Sequence, residues 1–397
     1  MTDRVPVLWL TGPAGVGKST VSWRLFTELA TAGVRVAFAD TDQYCMCYPA
    51  PRGDPDRNYV KAQNVGSVIP SFRMSGAQCL IANGVLDPAG LQTELIPDAD
   101  VTICRLRGAS EEVVRRFAGK RDPDDDRFAE MLQLTRDEVR LMDQSSFADA
   151  VVDTTGRPPA EVAAAVRAAC RDWPGFSSEL AGGQILSSEA CSSEVCSSGA
   201  RSSAQDYRPL GGQVLLITGP TGIGKSTIGF PAYMSCLSAG LTAAYLDLDQ
   251  LAFLRPGASD DPGSHRLKAR NLAAIWRNYQ AAGATHLIAV GPMSSAADFR
   301  IYAEALAGAS VTLARLRADS DELRLRVAAR GAGGSWLQPG DPLAGQPPEF
   351  LAAVADQAVR DSAALDHAGL GDLLIDTTGR TAAESAARLS AAAGWPA

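Results

Sequence analysis

The stretch Val7-Leu8-Trp9-Leu10-Thr11-Gly12-Pro13-Ala14-Gly15-Val16-Gly17-Lys18-Ser19-Thr20 decides the fold. Its first residues are a continuous apolar run, the pattern of a strand buried on both faces. A loop of the form G-x-x-x-x-G-K-S/T follows, and beyond it Val21, Leu25 and Leu29 recur every four residues along one face of a helix that Gly33 stops. Between strand and helix, such a loop binds phosphate. Its glycines let successive amide N–H groups turn inward as an anion nest, and the helix N-terminus adds partial positive charge. Gly12, Pro13, Ala14, Gly15, Val16, Gly17, Lys18, Ser19 and Thr20 are therefore the candidate nucleotide-binding residues. Lys18 would reach the β- and γ-phosphates of a nucleotide such as ATP, and the Ser19 hydroxyl would hold Mg²⁺.

The same text returns 207 positions later, from Gly12 to Gly219, as Val214-Leu215-Leu216-Ile217-Thr218-Gly219-Pro220-Thr221-Gly222-Ile223-Gly224-Lys225-Ser226-Thr227. Gly219, Pro220, Thr221, Gly222, Ile223, Gly224, Lys225, Ser226 and Thr227 form a second candidate loop, with Ser226 as its Mg²⁺ residue. The shift holds without a gap downstream. Asp40, Asp42 and Gln43 match Asp247, Asp249 and Gln250; Asp54 and Pro55 match Asp261 and Pro262; Lys61 and Asn64 match Lys268 and Asn271. Later, Asp153-Thr154-Thr155-Gly156-Arg157 meets Asp376-Thr377-Thr378-Gly379-Arg380, the second copy having gained length in the Gly/Pro-rich stretch 331–348. Internal duplication of this kind fixes the organisation before any single element is read.

Each copy alternates strand and helix patterns. In the first, Val34–Ala39, Cys79–Ala82, Val101–Leu106 and Ala150–Val152 read as further strands. The expected fold is α/β: two tandem domains, each a mostly parallel β-sheet flanked by helices. Residues 1–174 would form the first domain, 175–211 a flexible linker rich in Ser and Gly, and 212–397 the second domain. The linker repeats Ser-Ser pairs with little apolar content, too little burial to offset the entropy of ordering it. Pro231, two turns into the second post-loop helix, predicts a bent or late-starting helix there.

Composition narrows the class. A formal net charge of −8 leaves no broad electrostatic footprint for nucleic acid or anionic membrane, and no apolar run approaches the ~20 residues that span a bilayer. The opening Met1-Thr2-Asp3-Arg4 lacks a basic segment and apolar core, so no secretion signal is expected and a cytoplasmic setting is. The eight cysteines are scattered and the three histidines stand apart; reduced thiols are expected, and Cys45-Met46-Cys47 finds no matching second pair for a metal.

These motifs resemble the P-loop kinases of small molecules: adenylylsulfate kinase, chloramphenicol phosphotransferase, gluconate kinase and the zeta-toxin sugar-nucleotide kinases. The resemblance covers most of each copy and is most specific at the loop. It implies acidic residues at the end of the second strand beside the γ-phosphate, where Asp40 and Asp42, and Asp247 and Asp249, stand. Either aspartate of a pair would accept an attacking hydroxyl's proton or hold water on the metal, with turn or cap carboxylates as the structural alternative. It also implies a lid whose cations cover the transferred phosphoryl, here Arg116 with Lys120 and Arg326 with Arg330; a solvated basic helix face is the alternative. Thr154–Arg157 and Thr377–Arg380 would lie by the adenine ring, unless the turn only caps the next helix. Lys61, Asn64, Lys268 and Asn271 have no counterpart in the resemblance, and they are candidate acceptor-binding residues because their helix should face the space beyond the strand ends. Tyr44–Tyr48 against Leu251–Arg255 differ between copies, and as pocket lining they would give the halves different acceptors.

The expected function is transfer of the ATP γ-phosphoryl to a hydroxyl of a small molecule, possible at two sites of different specificity. The expected partners are nucleotide and a small-molecule acceptor, with no nucleic acid and no membrane. Two alternatives stay open: an ATP-hydrolysing regulatory switch, and one catalytic half beside a nucleotide-binding half. The third strands end Ala82-Asn83-Gly84 and Ala289-Val290-Gly291, without the acid that switch ATPases carry there, which favours the kinase.

Overall fold

The computed structural model of the protein describes residues 4–87, 89, 91–119, 128–177, 210–333 and 341–396. The linker proposed for 175–211 falls almost wholly outside the described residues, as do Lys120, the short charged lid segment 121–127 and the middle of the segment 331–348.

In the first half the order is β1 (Val5–Thr11), α1 (Lys18–Thr31), β2 (Val36–Asp40), β3 (Cys47–Tyr48), α2 (Asn58–Met74), β4 (Cys79–Asn83), β5 (Ala99–Arg107), α3 (Ser110–Ala118), α4 (Phe128–Asp143), β6 (Ala150–Asp153) and α5 (Pro159–Ala169). The second half follows with β7 (Gln213–Thr218), α6 (Lys225–Ser238), β8 (Ala243–Asp247), β9 (Phe253–Arg255), α7 (His265–Ala281), β10 (His286–Val290), α8 (Ala296–Ala305), β11 (Ser310–Arg317), α9 (Ser320–Gly331), α10 (Pro348–Ala368), β12 (Leu373–Asp376) and α11 (Ala382–Ala393). Each half builds five parallel strands, in the orders β6-β5-β1-β4-β2 and β12-β11-β7-β10-β8. The loop-bearing strands β1 and β7 are central and buried along almost their whole length.

The sixth strand of each sheet comes from the other half. β9 adds antiparallel to β2, with Val36 opposite Arg255 and Phe38 opposite Phe253. Reciprocally, β3 adds antiparallel to β8, with Tyr48 opposite Ala243. Phe253 enters an aromatic cluster with Trp23 and Phe38 at ring separations of 5.0 and 5.8 Å, and the Arg255 guanidinium lies 5.4 Å from the Trp23 ring centre. In the mirror position Met46 packs on the core around Tyr233 and Tyr245, and its carbonyl accepts from the Tyr245 amide at 2.9 Å.

Helices α2 and α7 lie between the two sheets. One continuous apolar core runs from Trp9 and Leu80 of the first sheet, through Val65, Phe72, Leu272 and Trp276 on those helices, to Leu216 and Leu246 of the second. Hydrogen bonds stitch the same seam: Tyr279 Oη donates to the Tyr44 carbonyl at 2.7 Å, and Asn278 Nδ2 to Asn64 Oδ1 at 2.8 Å. Separate cores cover the outer faces beneath α1 and α5 and beneath α6 and α11. Truncating one large buried aromatic in such a core costs about 3–5 kcal/mol.

Helix α6 begins at Lys225, in step with α1, so the late start expected from Pro231 does not occur, and the helix runs through Pro231 to Ser238. The ring costs one intrahelical bond, but burial of Ile228, Ala232 and Tyr233 on both sides of it holds the helix in register.

Candidate functional site

Both phosphate loops adopt the curled path that an anion nest needs. Gly12, Gly15 and Gly17 have φ of 143°, 84° and 104°, and Gly219, Gly222 and Gly224 repeat this with 148°, 81° and 95°. A side chain at Gly12 would strike the Leu106 carbonyl oxygen as well as straining the backbone. Helices α1 and α6 start directly from Gly17 and Gly224 with no side-chain cap, so their first-turn amides remain open to a ligand. The loop lysines fold back onto their own loops. Lys18 Nζ donates to the Gly12 and Pro13 carbonyls at 2.8 and 3.1 Å, and Lys225 Nζ to Gly219 and Pro220 at 3.0 and 3.1 Å. Burial lowers the pKa of both, partly opposed by the nearby aspartates.

The strand-end aspartates stand next to these loops. Asp40 ends β2, and its Oδ1 accepts from the Asp42 amide at 3.1 Å; Asp247 and Asp249 repeat the turn at 3.0 Å. Burial first, and the charge of Asp42 second, push the Asp40 carboxyl up to about 7; burial and Asp249 push Asp247 to about 6. Ser226 Oγ lies 3.4 Å from Asp247 Oδ2, so hydroxyl and carboxylate already face a common point. These are hard oxygen donors of the kind Mg²⁺ takes alongside nucleotide phosphates, and the donor set fits that ion. Beside Asp40, across the register, stands Asn83 at the end of β4, buried with its Nδ2 unpaired; Val290 occupies this place in the second half.

The two lysines without a counterpart in the resemblance belong to this cluster. Lys61 Nζ pairs with Asp42 Oδ1 at 3.4 Å and also donates to the Val85 carbonyl at 3.2 Å; Lys268 Nζ pairs with Asp249 Oδ1 at 2.7 Å. Both ammonium groups are buried while the carboxylates are about half exposed, so each lysine anchors an aspartate that faces outward. The asparagines have a different place. Asn64 and Asn271 are fully buried, and their Nδ2 atoms donate to the carbonyls of Tyr44 and Leu251, the latter at 2.6 Å. They pin the turn after the aspartates from behind. Asp54 and Asp261, in the turns before α2 and α7, accept from first-turn amides, Val60 N at 2.9 Å and Arg266 N at 3.1 Å.

The segments expected to line acceptor pockets are the exchanged arms. Tyr44–Tyr48 and Leu251–Arg255 leave their own halves within a few residues of the aspartates and become sheet edges in the other half. Their divergence tracks the aromatic partners on which each arm lands. An open cavity of about 490 Å³ lies elsewhere, between Pro51, Asp54, Asn58, Tyr59, Leu86 and Leu91 of the first half. Asn58, which opens α2, corresponds to His265, which opens α7; there His265 Nδ1 and Tyr302 Oη of α8 lie 3.0 Å apart and the space is built differently.

Arg116 and Arg326 bridge the helix after the fourth strand to the Asp-Thr-Thr-Gly turn. Arg116 pairs with Glu112 and donates to the Thr154 carbonyl at 3.2 Å. Arg326 pairs with Glu322 at 2.9 Å, donates to the Thr377 carbonyl at 3.0 Å, and reaches the loop carbonyl of Ile223 at 2.9 Å. Arg330, one turn on, is held by Asp341 at 3.0 Å, and its charge acts on Lys225. The aspartates of the turn accept from amides two residues on, Thr155 N at 2.8 Å and Thr378 N at 2.9 Å, so they shape the turn itself; helix α11 is capped instead by Thr381 with Glu384.

One residue at the site had no mark in the sequence. Glu138 of α4 accepts from the Ala14 amide of the first loop at 2.9 Å through Oε2. In sequence it sits among the polar positions of an amphipathic helix and reads as a solvated face. The six described cysteines are buried free thiols, and no described helix is long and apolar enough to cross a membrane.

No family model matches the chain, and no curated protein matches its sequence. Solved structures do match. A gluconokinase from Sinorhizobium meliloti 1021 is 16% identical over 45% of this chain and 95% of its own, with a TM-score of 0.29. A sugar kinase from Janibacter sp. HTCC2649 is 16% identical over 43% and 97%, with a TM-score of 0.31. An APS kinase from Mycobacterium tuberculosis, solved with AMPPNP and APS, is 19% identical over 47% and 99%, with a TM-score of 0.27. Each of these matches covers less than half of this chain and nearly the whole of the matched kinase.

Proposed function

We propose that each half is an ATP-dependent phosphotransferase that moves the γ-phosphoryl of ATP to a hydroxyl of a small molecule. The observation that carries this reading is the meeting of an uncapped phosphate loop and a strand-end aspartate pair in each half. Gly12–Thr20 and Gly219–Thr227 bind the phosphates through main-chain amides. Lys18 and Lys225 leave their loop carbonyls to neutralise the β- and γ-phosphates. Ser19 with Asp40, and Ser226 with Asp247, would hold Mg²⁺, which when bound offsets phosphate charge.

Asp42 and Asp249 face the acceptor side and take the proton of the attacking hydroxyl, each kept in place by its buried lysine. Arg116 and Arg326 brace the loop region against the turns at Thr154 and Thr377. Arg330 supplies positive charge near the second loop, where charge spreads over the transferred group. A cytosolic setting, where ATP and Mg²⁺ are abundant, belongs to the same proposal.

A metabolite extract incubated with protein and ATP tests this by mass spectrometry. The expected result is one or more species gaining a single phosphoryl group, lost in a Lys18→Ala/Lys225→Ala double variant. Acceptor-independent phosphate release across a broad metabolite panel would instead favour the ATP-hydrolysing switch. The placement of Glu138 on the first loop alone favours a second reading, one transferring half beside a half that chiefly holds nucleotide.

A further inference from the structure

An anion nest receives a negative oxygen, and in the first half one of its amides already has one. Helix α4 carries Glu138 onto Ala14 N at 2.9 Å. The carboxylate is largely withdrawn from water, and it feels the charges of Lys18, Asp42 and Lys61 together. The Ala14 amide belongs to the same peptide unit as the Pro13 carbonyl that accepts from Lys18 Nζ, so carboxylate and ammonium meet at one end of the loop, the end where Lys18 would meet the terminal phosphates.

The second half differs at the same place. Arg105 holds Asp143 on α4 and Arg315 holds Asp366 on α10, so the two helices share a register. Counting back along it, Glu138 corresponds to Asp361. That side chain is one methylene shorter, and it accepts from Gln357 Nε2 of its own helix at 2.7 Å. Among the described residues, Lys225 feels the cation Arg330 and Lys18 the anion Glu138; Lys120, the counterpart of Arg330, lies outside them.

We propose that Glu138 is a selectivity residue that occupies the terminal-phosphate end of the first loop, so that this half binds a nucleoside triphosphate more weakly than the second half does, while the two halves bind a diphosphate alike. The inference rests on the reading of both loops as nucleotide sites. A triphosphate entering the first loop must displace a carboxylate from its amide and then lie beside it, two like charges in a site with little water. A diphosphate leaves that end of the nest to Glu138.

Calorimetric titration of the full-length chain with Mg²⁺ and either ADP or AMP-PNP separates the outcomes. For the unmodified chain, two equivalents of ADP are expected with affinities within a few fold, but AMP-PNP should fill one site tightly and the other at least about tenfold more weakly. Glu138→Gln should bring the weak AMP-PNP site to within a few fold of the tight one and leave ADP nearly unchanged. Glu138→Asp, which imitates the second half, should move it the same way, and thermal melting confirms that both variants fold. An unchanged or weakened AMP-PNP isotherm in both variants overturns the selectivity role while leaving nucleotide binding intact. Uptake of neither nucleotide by the unmodified chain overturns the loop reading and this inference with it.

Discussion

The two phosphate loops share their glycine dihedrals, their folded-back lysines and their strand-end aspartate pairs, and among the described residues they differ in what approaches from the lid side. Among the described residues, the first loop meets the carboxylate of Glu138, and the second meets the guanidinium of Arg326, which donates to the Ile223 carbonyl at 2.9 Å. The backbone that makes an anion nest is thus held fixed by short-range geometry, while the charge offered to its occupant is set by helices more than a hundred residues away in sequence.

The largest expected break in this comparison comes from the loop lysines. Lys18→Ala should lower phosphoryl transfer by the first half by about a hundredfold to a thousandfold and leave the second half working, and Lys225→Ala should do the converse. Phosphorylated products from each single variant, followed by mass spectrometry, check this. If either variant silences both halves, the halves are not independent catalysts.

Next come the exchanged arms. Phe253→Ala should destabilise the protein by about 2–4 kcal/mol, read as a lower denaturation midpoint. The protection lost in hydrogen exchange should fall on β2 in the first half, although the substitution lies in the second copy. Met46→Ala should cost less, because its partners on α6 and β8 do not form an aromatic stack with it.

A smaller effect separates the aspartates by pH. Asp40 binds its proton up to about 7 in the folded state, far above the ordinary carboxylate range, and Asp247 up to about 6. A raised folded-state value means that the stabilising protonated form is present at low pH and lost as pH rises through it. In metal-free buffer, Asp40→Asn should therefore raise the melting temperature at pH 8 and change it little at pH 4. For Asp247→Asn the gain should appear about one pH unit lower. Removing Asp42 as Asp42→Asn should shift the Asp40 titration down, since its negative charge is one of the causes.

Much of this was legible in the chain itself. The buried strand, the glycine loop and the amphipathic helix are local patterns, and the 207-residue repeat makes chance agreement untenable. Lys61 stood out in the sequence because it sits one helical turn inside α2 and repeats as Lys268, and each pairs with the aspartate after its strand. Asn64 repeats in both copies for another reason, as each copy needs a buried amide to hold the carbonyl behind its aspartates. The arms were not legible. Strands of two and three residues carry too little alternation to be read, and apolar residues after an acidic turn look the same whether they line a pocket or pair with a foreign sheet. Glu138 was hidden likewise, since only the packing of α4 distinguishes it from its exposed neighbours.

The crossed edge strands have one more consequence, for how such a molecule changes over time. In a symmetric pair of identical subunits, any alteration at the shared seam is imposed on both sides at once. Here the seam is written by two separate stretches of one polypeptide, Phe253 against Trp23 on one side and Met46 against Tyr233 and Tyr245 on the other. Each stretch is free to vary without dragging its mirror image along, so joining the copies end to end is what released them to become unlike.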